Sequence, residues 1–218
     1  CHLWIASESD SKAASTTEHA ILAAHHLTVA RRALPEDGRV VSWLSAVQFR
    51  LARSNGDEAG ADEALRTLRS AVAVDPCFHA VAIGILRFDD ARDSDAFREG
   101  LDAMRHAAEC GAECASVQNQ EHWPHNREGF ALALAQFELK AGNRQRAEVM
   151  LRFAREQESY EHWPQRPMAE SLLGDTAGIA RLYFNEDPTD DPPMVLSPGS
   201  PVSCRVCHQT AAPTNSAA

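Results

Sequence analysis

Ala64-Leu65-Arg66-Thr67-Leu68-Arg69-Ser70-Ala71-Val72-Ala73-Val74-Asp75-Pro76 is the stretch from which the fold is read. A small residue, Ala64, is followed four positions later by Leu68, three later by Ala71 and five later by Pro76. Steps of four and three place the first three residues on one face of a helix. Small side chains there let a neighbouring helix come close, and the large one fills the groove between the two. The proline then ends the helix and opens the next turn. The same register stands unchanged at Ala23, Leu27, Ala30 and Pro35. It returns without its proline at Ala147, Leu151 and Ala154, and more weakly at Gly100, Met104 and Ala107. Partner helices can be placed at residues 43–53, 78–88 and 130–140, the last closing on Ala141-Gly142-Asn143. The expected fold class is all-α, a stack of antiparallel helical hairpins.

These anchors resemble the second helix of a tetratricopeptide repeat, and the resemblance spans residues 15–184. It implies a repeat body that buries its core between adjacent hairpins and presents a concave face to a partner, with no chemistry of its own. The anchors lie 41, 36 and 47 residues apart, against the family's period of about 34. An irregular stack is therefore expected, with Ser54 to Asp62 read as an enlarged turn and Ala112 to Asn126 as an inserted connection. Any alanine-rich helical bundle of similar size is the alternative.

Residues 185–218 form the third of three expected segments, after an N-terminal anchor or linker at 1–14 and the helical domain at 15–184. Four carboxylates lie between Asn185 and Asp191, and Pro188, Pro192, Pro193, Pro198 and Pro201 follow closely. Such a composition favours an extended arm. On it stands Cys204-Arg205-Val206-Cys207-His208, a CxxCH arrangement that reads as a c-type haem attachment site. The thiols of Cys204 and Cys207 would each add to one haem vinyl group, and His208 would bind the iron as proximal ligand. A surface disulfide, a redox dithiol or half of a zinc site are the competing readings. A redox CxxC ordinarily opens a helix in a βαβ setting, and a zinc site needs a second ligand pair. The arm departs from class I cytochromes c, whose CxxCH lies near the start of a domain with an axial methionine well downstream. No methionine or histidine follows His208, so the sixth ligand is sought upstream among Met194, His122, His125 and His162, or in another molecule.

Glu121-His122-Trp123-Pro124 recurs as Glu161-His162-Trp163-Pro164. Each copy is expected beside a helix boundary, because proline favours a first helical turn. Either Trp123 and Trp163 close the apolar seam between hairpins, or one of these turns receives the haem. Cys1 resembles the lipid-bearing first residue of a mature bacterial lipoprotein, which implies membrane anchoring through that lipid alone and an extracytoplasmic location. Three cysteines are then left. A bridge from Cys77 to Cys110 or Cys114 is expected from their placement at one end of a hairpin, with buried thiols as the alternative.

The formal charge of −10 argues against nucleic acid and anionic lipid headgroups as partners. Basic residues are nearly all arginine, with Lys12 and Lys140 the two lysines. The function expected is electron transfer, not catalysis. One covalent haem c would be carried by a lipid-anchored body docked in a larger redox or photosynthetic assembly, or on copies of itself. A scaffold lipoprotein, with CxxC as a disulfide, is the second reading. A peroxidase ranks behind both, since neither a second haem motif nor an acid–base set accompanies the first.

Overall fold

The structure is a computed structural model that describes residues 14–72, 76–110, 126–163 and 165–184; side chains at 14–16, 72, 76–79, 110 and 126 lie outside that description. All regular structure among the described residues is helical. Among the described residues nine α-helices run in the order α1 Ala14–Ala33, α2 Gly38–Ser54, α3 Glu58–Val72, α4 Pro76–Arg87, α5 Asp95–Cys110, α6 Asn126–Lys140, α7 Arg144–Arg155, α8 Arg166–Gly174 and α9 Thr176–Leu182. A 3-10 turn at Tyr160–His162 stands between α7 and α8. No described helix is long and apolar enough to cross a membrane.

Short polar side chains start these helices. Asp37 accepts hydrogen bonds from the backbone N–H groups of Arg39 and Val40 at 2.9 and 3.4 Å. The Arg39 guanidinium hydrogen-bonded to it holds its carboxyl down at about 2. Asp57 accepts from Gly60 N at 2.9 Å, Ser94 Oγ from Phe97 N at 3.0 Å, and Asp175 from Gly178 N at 2.8 Å. Each bond satisfies an N–H that the first helical turn leaves without an intrahelical partner.

Helix pairs α2/α3, α4/α5 and α6/α7 are the closely packed neighbours, with α1 against α2 and α8 and α9 against α7. Two of the pairs turn on three residues each, Asn55-Gly56-Asp57 and Ala141-Gly142-Asn143. Gly56 and Gly142 take φ of +69° and +83°, a left-handed conformation that glycine adopts without steric cost. The enlarged turn expected at Ser54 to Asp62 is therefore corrected: Glu58 to Asp62 already belongs to α3. Gly60 lies within the first turn of α3, where Asp57 caps its N–H.

Most residues that set the register are inside: on α1 Ala23 is buried, while Leu27 and Ala30 are half-buried. Ala64, Leu68 and Ala71 of α3, Gly100, Met104 and Ala107 of α5, and Ala147, Leu151 and Ala154 of α7 are all buried. One core gathers Phe49 of α2, Leu65 and Leu68 of α3 and Ile83 and Leu86 of α4. The other centres on α6, where every residue from Ala131 to Lys140 is buried. There Phe137 meets Phe88 edge-on at 5.0 Å and Phe97 face-on at 5.4 Å between ring centres. A helix buried on all sides must satisfy its polar groups from within. Glu138 takes both arms of the Arg105 guanidinium at 2.8 Å and the Asn143 amide at 2.8 Å. Lys140 Nζ donates to the Phe88 carbonyl at 2.9 Å.

Charged groups link successive hairpins. Glu99 of α5 binds Arg69 of α3 at 2.6 and 2.8 Å and Arg87 of α4 at 3.2 Å. Asp90 joins Arg87 to Arg53 of α2, and both guanidinium groups lie over the Phe49 ring. Arg53 and Arg69 are exposed, so their pairs contribute little individually, whereas the Arg87 and Asp90 side chains that pair between them are largely buried.

Candidate functional site

Among the described residues, the candidate site is the turn between α7 and α8. The α7 backbone ends at Arg155, and the chain tightens into the 3-10 turn, where His162 N donates to Ser159 O at 3.2 Å and Trp163 N to Tyr160 O at 3.1 Å. Ser159 Oγ donates to Glu128, a buried residue near the start of α6, so the turn is tied to the central helix. Tyr160 and Trp163 are both buried, their rings tilted against each other with centres 5.8 Å apart. The Tyr160 hydroxyl donates to Glu170 of α8 at 2.9 Å, and Arg155 holds the same carboxylate at 3.3 Å. Burial, followed by the hydrogen bond to Glu170, pushes the Tyr160 phenol up to about 12. Arg166 pairs with Glu161 and lies over the Tyr160 ring at 5.8 Å.

His162 stands between the two buried aromatics and is itself exposed. An outward imidazole on a turn pinned from both sides can serve a metal approaching from outside the fold or remain a polar rim residue. Trp163 belongs to the α6 core, so its ring is committed to packing, as the seam reading of this turn expected.

Of the four candidates for a sixth iron ligand, His162 alone lies among the described residues; Met194, His122 and His125 lie outside them. Cys1, Cys114, Cys204, Cys207 and His208 lie outside them too. The Cys77 backbone falls in the first turn of α4 and Cys110 is the last residue of α5, while both side chains are outside the description. His25 and His26 are exposed on α1, their rings edge-on with centres 5.6 Å apart, and His106 is exposed on α5. Among the described residues no three His, Cys, Asp or Glu side chains cluster in a way that could hold a metal ion.

The buried polar groups Glu138, Lys140 and Glu128 escape a reading by apolar register, which counts them as surface positions on α6. Their signal is indirect: Phe130 to Lys140 carries apolar residues round the whole helix, which marks it as central.

No family model, no curated protein and no solved structure matches this chain.

Proposed function

We propose that this chain is an electron-transfer subunit, a tetratricopeptide-like helical body that carries one covalent haem c on its C-terminal arm. The observation that carries the reading is the CxxCH run, Cys204-Arg205-Val206-Cys207-His208. Two thiols three positions apart followed at once by an imidazole are what two thioether bonds and a proximal iron ligand require. Burial of the small-large-small anchors in α3, α5 and α7 supports the repeat-like reading of the body. His162, exposed on a fixed turn, is the one of the four sixth-ligand candidates that lies among the described residues.

The body holds the haem against a redox partner or against a further copy of the chain. A haem disc outside a cytochrome domain exposes a large apolar surface, which favours cover by protein. The net charge of −10 suits a basic partner surface. An arrangement of this kind relays electrons without transforming a substrate, so we propose no enzymatic activity.

A visible spectrum tests the reading. Expressed in a host able to attach haem, the chain should show sharp reduced α and β bands, and His208→Ala should abolish the low-spin form by removing the proximal ligand. A colourless wild-type protein would leave the scaffold reading, with CxxC as a disulfide.

A further inference from the structure

α1 is the first described helix and packs against α2. Its inner face carries Ala23, which is buried, with Ala20, Leu27 and Ala30 half-buried. The opposite face is exposed and apolar at its middle, where Ile21, Leu22 and Val29 are 54%, 41% and 51% exposed. A helix at the end of a stack ordinarily turns a polar face outward, because no further hairpin covers it. Three large apolar side chains grouped on that face mark it as a contact surface.

The order of residues along the face says what fits it. Glu18, Ile21, Leu22, His25, Val29 and Arg32 are all exposed and fall within an arc of about 100° around the helix. Counted from His25, Ile21 and Val29 lie four residues to either side, and Glu18 and Arg32 seven. A second α1 laid antiparallel about a two-fold axis at His25 therefore sets Ile21 opposite Val29 and Glu18 opposite Arg32, each pair twice. An isologous interface requires this kind of self-complementarity. Among the described residues neither Glu18 nor Arg32 is held in an ion pair, so both charges are open to another chain. Glu18 and Arg32 stand about 21 Å apart along the axis, and helices crossing at about 20° stay in contact over such a length.

We propose that the outer face of α1 is a self-association surface, on which a second copy of this chain docks antiparallel with Glu18 of each copy against Arg32 of the other. Leu22 widens the apolar patch, and the two His25 imidazoles meet at the axis, where each can donate to or accept from the other. A single helix pair buries less than the roughly 1,200 Å² of a stable interface, so the dimer is a weak one whose population follows concentration. The surface stands independently of the haem reading.

Sedimentation equilibrium of the full chain over a concentration series tests this. The average mass should climb from one chain toward two, and Val29→Asp should hold it at one. Glu18→Arg and Arg32→Glu should each weaken the dimer about tenfold, because each turns two attractive pairs into repulsive ones. Their combination restores opposite charges at both ends and should recover association, a rescue specific to this register; unchanged helical circular dichroism shows that the variants fold. A monomer throughout the series would overturn the proposal, and one that binds phosphatidylcholine vesicles until Val29→Asp releases it would give the face to a membrane instead. Association indifferent to Val29→Asp would overturn it as well, as would a double variant that associates no better than the single ones.

Discussion

Tyr160 is the residue where burial and hydrogen bonding combine to produce a measurable titration. Its hydroxyl is held by Glu170 in the α6 core, with the phenol pushed from 10.0 up to about 12. The folded state thus keeps a proton that the unfolded chain releases above about pH 10. This contribution to stability is complete below pH 10 and is lost as pH rises through the interval to about 12. Denaturant midpoints should therefore fall more steeply above pH 10 for the wild type than for Tyr160→Phe; parallel curves would contradict the assignment. Such a partnership was not legible in the sequence. Tyr160 and Glu170 sit ten residues apart across a turn whose geometry depends on Ser159 reaching Glu128 of a distant helix.

Helices α4 and α5 approach closely at Gly84 and Gly100. A Cβ at Gly100 of α5 would lie 2.6 Å from the Arg87 Cβ and 3.3 Å from Phe137 Cε1. Arg87 Cβ is fixed by its backbone, so α4 and α5 would have to move apart. Overpacking of this sort costs about 1–3 kcal/mol, which exceeds the gain of about 1 kcal/mol from better helix propensity. Gly100→Ala should thus lower the melting temperature, and an unchanged or raised melting temperature would show that the helices do not touch here. The anchors of α3, α5 and α7 were legible because close helix packing demands small residues at fixed spacing. The turn at Asn55-Gly56-Asp57 was misread because a glycine one turn into α3 looks the same in sequence as a glycine that ends a helix. Only the hydrogen bond from Gly60 to Asp57 tells them apart. The burial of Glu138 and Lys140 was hidden for a related reason, since their partners Arg105 and the Phe88 carbonyl come from elements far away in sequence.

At the scale of the whole molecule, the described residues build two apolar cores. Arg92, Tyr183 and Phe184 close the body where the arm begins. Removing residues 185–218 should therefore leave helical circular dichroism and cooperative melting largely intact; an unfolded truncated chain would place the arm in the core. The proposed chemistry of the arm rests on five residues, Cys204 to His208, whereas no motif points to a partner, because recognition by a helical stack is spread over a surface. The central claim, that the arm carries covalent haem, is tested most directly by intact mass after acid–acetone extraction, using chain made in a host with haem-attachment machinery. The account predicts a mass above the polypeptide by one haem, lost when Cys204→Ser and Cys207→Ser are combined. A wild-type mass equal to that of the polypeptide would contradict it.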